Sequence, residues 1–200
     1  MGCQNSKNVQ QEGKSLLNTR KDNQAKKAWE KKVVLLGDPN VGKSSIAQRF
    51  CKNVFSNTHI ATIGGAYLQN KVVLENGESI KLHIWDTGGQ ERFRAMANLY
   101  YKDAAAAILT YDITEESSLE NLCYWIEELK NNADNKDILL CLAGNKCDSN
   151  DQRKITLARG QEFADQHGMS FYETSAKLGN GVTELFTGLA QKLYDIETKK

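Results

Sequence analysis

Apolar residues fall along this chain in two kinds of segment that take turns. The first is a short continuous run rich in β-branched or small residues, at 32–36, 104–111, 138–142 and, briefly, 170–173. Runs of this length read as strands buried on both faces. Residues 67–74 and 79–85 flank the turn Glu75-Asn76-Gly77-Glu78 and predict an antiparallel hairpin. The second kind carries apolar residues three and four apart, and predicts helices from residue 46 and over 92–101, 117–131, 157–167 and 182–197. Strand–helix alternation with one hairpin predicts an α/β fold: a six-stranded, mostly parallel sheet with one antiparallel strand and helices on both faces. Ligands bind such sheets at the carboxyl ends of the strands.

Residues 1–31 lack any apolar period. They carry Lys7, Lys14, Arg20, Lys21, Lys26, Lys27 and Lys31 against Glu12, Asp22 and Glu30, and are rich in Asn and Gln. That composition predicts a flexible basic arm, followed by one domain over 32–196 and a short tail, 197–200. The overall formal charge of +1 argues against a general nucleic-acid binder. Cys3, Cys51, Cys123, Cys141 and Cys147 form no metal-ligand spacing and, with no secretory segment ahead of them, read as reduced cytosolic thiols.

The chemistry sits where the strands end. Gly37-Asp38-Pro39-Asn40-Val41-Gly42-Lys43-Ser44 follows the first strand and opens a helix. This is the G-x-x-x-x-G-K-[ST] phosphate loop, whose backbone N–H groups wrap a polyphosphate while the Lys reaches its outer phosphates and the Ser meets Mg²⁺. Asn145-Lys146-Cys147-Asp148 follows the strand at 138–142 and supplies the base. A carboxylate at Asp148 accepts two hydrogen bonds from the ring N–H and exocyclic amine of guanine; adenine offers no such pair. The two runs together predict a guanine nucleotide.

Three further motifs fall in order: Thr62 within Ile60-Ala61-Thr62-Ile63-Gly64-Gly65, then Asp86-Thr87-Gly88-Gly89-Gln90-Glu91, then Glu173-Thr174-Ser175-Ala176-Lys177. The five motifs in this order resemble the small GTPases of the Ras superfamily over residues 32–196. Ile63-Gly64-Gly65-Ala66-Tyr67, Lys81-Leu82-His83-Ile84-Trp85-Asp86-Thr87, Gln90-Glu91-Arg92-Phe93-Arg94, Leu99-Tyr100-Tyr101-Lys102-Asp103 and Ile108-Leu109-Thr110-Tyr111-Asp112-Ile113-Thr114 resemble Rab-family signatures. The combination is similar to the early-endosomal branch.

The resemblance implies a P-loop GTPase fold and a role for each motif. Asn40, Val41, Gly42, Lys43, Ser44 and Ser45 hold the phosphates. Ser44 and Thr62 give hydroxyls to Mg²⁺, and Asp86 acts on the metal through water. Gly89 N–H and Thr62 meet the γ-phosphate, and Gln90 orients the attacking water. Phe55, Asn145, Lys146, Asp148, Ser175, Ala176 and Lys177 form the guanine site. Hydrolysis releases Thr62 and Gly89 together, so the molecule is a switch. Ile63, Tyr67, Trp85 and Tyr100 match the apolar patch read by effectors. His59, His83 and His167 have no partner that suggests catalysis. The implied partners are guanine nucleotide, effectors, an exchange factor and a GTPase-activating protein. The implied role is regulation of vesicular and endosomal trafficking by a monomer.

The sequence departs from the pattern in three places. Pro39 stands where relatives carry a small residue, removing one N–H and fixing φ near −65°. Gly88 stands where most Rabs carry Ala, which predicts a looser second switch and slow unassisted hydrolysis. These two departures keep open the alternative of a GTP-binding interaction module with little or no hydrolysis. Rabs usually finish with prenylated cysteines, whereas the last cysteine here is Cys147. Met1-Gly2-Cys3-Gln4-Asn5-Ser6 instead fits M-G-x-x-x-[ST], which predicts myristoylation of Gly2 with Cys3 as a neighbouring palmitoylation site. Acyl groups and the basic arm would hold the chain on the cytoplasmic face of endosomal or other vesicular membranes, with a cytosolic pool.

Overall fold

The computed structural model describes residues 29–58, 61–90 and 97–199. Six strands form one sheet: β1 (Trp29–Leu36), β2 (Gly65–Val73), β3 (Ser79–Thr87), β4 (Ala106–Asp112), β5 (Leu139–Asn145) and β6 (Ser170–Glu173), in the spatial order β2-β3-β1-β4-β5-β6. Every pairing is parallel except β2 with β3. The expected sheet, with its one antiparallel strand and hairpin, is therefore present.

The helices are α1 (Lys43–Lys52), α2 (Ala97–Tyr101), α3 (Glu116–Glu120), α4 (Leu122–Asn132), α5 (Leu157–Gln166) and α6 (Val182–Thr198). Successive β1 residues feed opposite faces, as the strand period requires. Val33 and Leu35 pack with Ile46 of α1 and with Leu185, Phe186 and Leu189 of α6. Val34 and Leu36 pack with Leu122, Trp125 and Ile126 of α4 and Phe163 of α5. Phe50 stacks on Phe186 at 3.9 Å between centroids, which fixes α1 against α6.

Several boundaries differ from expectation: β2 covers 65–73 rather than 67–74, β4 covers 106–112 rather than 104–111, and β5 runs on to Asn145 rather than 142. β1 begins at Trp29 rather than residue 32, because its first residues pair in register with β3 from Trp29 opposite Ile80. Trp29 meets the ring of Tyr194 edge-on at 5.6 Å, and Lys31 bridges Glu197 at 2.8 Å. Charged side chains on the rim of a sheet leave no apolar run to read. The helix expected over 117–131 is divided at Asn121 into α3 and α4. Of the stretch expected to be helical over 92–101, residues 92–96 lie outside the described residues.

Candidate functional site

The loop between β1 and α1 is shaped by residues that tolerate a left-handed backbone. Gly37 (φ 137°) passes so close to β4 that a Cβ there would lie 2.2 Å from the carbonyl oxygen of Thr110. Asn40 (φ 63°) and Gly42 (φ 101°) turn the chain into α1. No side chain caps that helix start, so its N–H groups remain for an anion. Lys43 is buried, and its ammonium donates to the carbonyls of Gly37 at 2.8 Å and Asp38 at 2.7 Å. Burial lowers its pKa to about 8, against the opposing pull of Asp86 and Asp38. A cavity of about 110 Å³ follows, lined by Asn40, Lys43, Ser44, Thr62, Gly89 and Gln90 among others.

Three oxygen donors converge beside it. Ser44 Oγ and Thr62 Oγ1 are 2.9 Å apart, and Thr62 Oγ1 donates to Asp86 Oδ2 at 3.3 Å. Asp86 is buried at the end of β3, and its Oδ1 has no hydrogen-bond partner among the described residues. Desolvation raises the carboxyl pKa, held back by Ser44, by the Lys43 charge and by Thr62. A buried carboxylate oxygen without a partner, beside two hydroxyls, suits a hard cation such as Mg²⁺ or a water bound to it. The residues present therefore fit the implied metal.

The two switch loops meet here as well. Gly88 N–H donates to the carbonyl of Gly64 at 2.9 Å. Gly89 abuts the phosphate loop so tightly that a Cβ would lie 2.5 Å from Asp38 C and Pro39 N.

The base-reading residues are gathered about 100 residues downstream. Asn145, buried at the end of β5, is a hub: Nδ2 donates to the carbonyl of Val41 at 2.8 Å, while Oδ1 accepts from Thr174 Oγ1 and Ala176 N–H, both at 3.2 Å. It thereby joins the phosphate loop to the loop after β6. Lys146 takes a left-handed turn (φ 68°) and pairs with Asp112 at 2.6 Å. Ser175 Oγ donates to one oxygen of Asp148 at 2.5 Å. A second cavity, about 190 Å³, has Phe55, Lys146, Asp148, Ala176 and Lys177 in its walls. Six of the seven expected guanine residues therefore line one space; Ser175 is not in its walls and reaches it through its bond to Asp148.

The apolar patch is also assembled. Ile63 is 80% exposed and Tyr67 49%. Tyr67 lies 5.5 Å from Trp85, and Trp85 lies 5.8 Å from Tyr100, ring to ring. Lys32 sits 5.5 Å over the Trp85 ring. A Cβ on Gly65 would meet the Tyr100 ring at 2.6 Å, so the patch closes over the first switch only because that position is glycine. His83 has a role here that the sequence did not signal: Nδ1 is 2.6 Å from the Tyr67 hydroxyl and Nε2 is 3.0 Å from Glu30.

Two further contacts were not expected. Asn121, at the α3–α4 break, donates to the Asp38 carboxylate at 2.7 Å and braces the phosphate loop from outside. Thr174 is the other. Its hydroxyl helps to orient Asn145, a role that its place in the 173–177 motif did not assign. Gly2, Cys3, His59 and residues 91–94 lie outside the described residues.

Comparison with known proteins adds the following. The Ras family model matches residues 32–195. The Ras-related protein Rab-5B of Plasmodium falciparum is 47% identical over 163 residues, covering 82% of this chain and 77% of that protein. The human Ras-related protein Rab-21 is 40% identical over 171 residues, covering 86% of this chain and 75% of that protein. The yeast GTP-binding protein YPT52 is 39% identical over 193 residues, covering 83% of this chain and 82% of that protein.

Proposed function

The chain belongs to the Ras family of small GTPases, and on that premise we propose that it is a Rab-type switch, cycling between GTP and GDP to regulate vesicular and endosomal trafficking. It hydrolyses GTP to GDP and phosphate. The rival reading, a GTP-binding module without hydrolysis, is not favoured by this membership. The observation that carries the proposal is the convergence of the Ser44 and Thr62 hydroxyls beside the Asp86 carboxylate, whose Oδ1 has no hydrogen-bond partner among the described residues, one loop away from a cavity walled by Asp148.

The residues divide the work. Backbone N–H groups from Asn40 to Ser45 hold the phosphates, and Lys43 transfers its ammonium from the Gly37 and Asp38 carbonyls to the outer phosphate oxygens. Ser44 and Thr62 would hold Mg²⁺, with Asp86 behind them, and when bound it would supply positive charge against the phosphates. Thr62 and the Gly89 N–H close on the γ-phosphate, and Gln90 orients the attacking water. No carboxylate near Gln90 is needed as a base, because positioning and electrostatic stabilisation supply most of the rate. Loss of the γ-phosphate releases Thr62 and Gly89 together, which exposes or withdraws the patch of Ile63, Tyr67, Trp85 and Tyr100. Effectors bind that patch in the GTP state, and an exchange factor and an activating protein set the cycle.

The domain is wider than the expected 32–196: it includes β1 from Trp29 and α6 to Thr198, so the arm expected over 1–31 ends before Trp29. Gly2 is myristoylated and Cys3 palmitoylated, because a single acyl chain gives only marginal binding, about 10⁴ M⁻¹. Among the described residues no helix is long and apolar enough to cross a membrane.

Mg²⁺-dependent binding of GTP, GDP and ATP tests the core of this reading. Strong preference for guanine nucleotides is expected, with Asp148→Asn costing about 2–4 kcal/mol. Equal affinity for ATP and GTP would overturn it. Gln90→Leu is expected to prolong the GTP state. Gly2→Ala is expected to move the protein from membranes to cytosol at unchanged nucleotide affinity, and persistent membrane binding removes the acyl anchor.

A further inference from the structure

Every nitrogen of the Arg49 guanidinium is committed. Nε donates to the carbonyl of Ala176 at 2.8 Å, and one terminal nitrogen donates to the carbonyl of Lys177 at 2.8 Å. The other terminal nitrogen donates to the carbonyl of Asn53 at 3.1 Å and to its side-chain oxygen at 3.0 Å. Asn53 closes α1 in the left-handed conformation (φ 53°), so the arginine is braced by the end of its own helix. Its other two acceptors lie more than 120 residues away in the loop after β6. They belong to consecutive peptides of the segment that walls the base cavity. No sequence motif marks Arg49.

We propose that Arg49 is a positioning residue for guanine. This deepens the guanine-nucleotide reading above and rests on it. A trans peptide points its N–H opposite its C=O, so fastening the Ala176 carbonyl to Arg49 aims the Lys177 N–H the other way. The Ala176 and Leu178 N–H groups are held by Asn145 Oδ1 at 3.2 Å and Ser175 Oγ at 3.0 Å, so the Lys177 N–H is the one that this planar guanidinium fork keeps turned toward a base oxygen. Specificity is strongest where a site's polar groups are fixed in place before the ligand arrives. The same bonds join α1, which carries Lys43 and Ser44, to the base loop as one piece. Base and phosphate contacts then open together when nucleotide leaves. A lysine has a single point of charge and reaches one carbonyl at a time, so this role asks for arginine.

The test compares release of fluorescent GDP with release of a purine riboside diphosphate lacking O6 (the 2-aminopurine analogue), from full-length protein and from R49A, R49Q and R49K. Expected for R49A is GDP release faster on the order of tenfold, with release of the O6-lacking nucleotide changed less than about twofold. R49K and R49Q are expected between R49A and the native protein. R49Q, which keeps the stem and one amide donor, carries the comparison if R49A fails to fold. GDP release within about twofold of native in both R49A and R49Q overturns the proposal. So does equal acceleration of both nucleotides, which indicates that Arg49 only holds up the helix. A native protein that does not prefer GDP to ADP overturns both this proposal and the guanine reading. Native preference with unaffected variants removes the role of Arg49 alone.

Discussion

Gly89→Ala isolates the closed state of the switch. A methyl group built on Gly89 lies 2.5 Å from Asp38 C, 2.5 Å from Pro39 N and 2.6 Å from Lys43 Nζ. Two of those atoms are main chain in the phosphate loop. That loop has no room to retreat, since Gly37 already passes the carbonyl of Thr110 with no space for a Cβ. The second switch must therefore move outward, taking Gln90 with it. Overpacking of this kind costs about 1–3 kcal/mol. At about 1.4 kcal/mol per factor of ten, the closed state falls by roughly 5- to 150-fold relative to the open one. Hydrolysis runs only from the closed state, so its single-turnover rate should fall by the same factor. The base cavity is untouched and the Lys43 ammonium is the far end of a flexible side chain, so with the second switch displaced GDP release should stay within about twofold of native. Phosphate release from preloaded γ-labelled GTP measures the first quantity, and fluorescent GDP displacement the second. Native-rate hydrolysis by Gly89→Ala would show that the approach of Gly89 to Pro39 is not the hydrolytic arrangement.

Asn145→Ala leaves the buried carbonyl of Val41 and the N–H of Ala176 without that side chain, costing about 2–4 kcal/mol of unfolding free energy by urea titration. An unchanged midpoint contradicts its role as hub. Arg153 forks onto both oxygens of Glu173, at 2.6 and 3.0 Å, and also reaches the carbonyl of Ile155. Arg153→Ala should destabilise by about 1–3 kcal/mol with native nucleotide affinity, and Arg153→Lys should recover less than half, because a single ammonium cannot fork. Thiol labelling should also be ordered among the described cysteines. Burial pushes the Cys51 thiol up to about 11 and Cys141 up to about 12. Exposed Cys123 should therefore be alkylated first at neutral pH and Cys141 only on unfolding, as read by peptide mass spectrometry.

The catalytic motifs were legible because their chemistry forces local sequence. A loop that wraps phosphate needs glycines at left-handed positions and a lysine at one spacing, and Gly37, Gly42 and Lys43 sit where the pattern puts them. The strand interiors were legible for the same reason, since Val33 to Leu36 must be apolar on both faces. What escaped depends on contacts between distant segments. Glu30 and Lys31 hid the start of β1, because a sheet rim can be charged when its partners are His83 and Glu197. Asn121 reads as an ordinary helix residue until Asp38 is brought beside it. His83 lies in a half-exposed strand and has no meaning without Tyr67 on the paired strand, two residues out of register. Pairings of this sort carry no local signature, so only the fold reveals them.

The two ends of the nucleotide site are held by different means, and that difference suits a switch. At the base end the bonds are protein to protein: Asn145 to Val41, Ser175 to Asp148, Arg49 to two carbonyls. They involve buried or partly buried side chains and do not need a ligand to exist. At the γ-phosphate end the links among the described residues include the Gly88 to Gly64 main-chain bond and the Thr62 hydroxyl shared with Ser44 and Asp86. A net hydrogen bond contributes about 0.5–1.5 kcal/mol, so two or three of them bias the loops without locking them. A phosphate and a cation arriving there add charge-assisted bonds that are each stronger. The base loop can thus keep its grip on the nucleotide through both states, while the switch loops are left close to balance, where one phosphate decides between them.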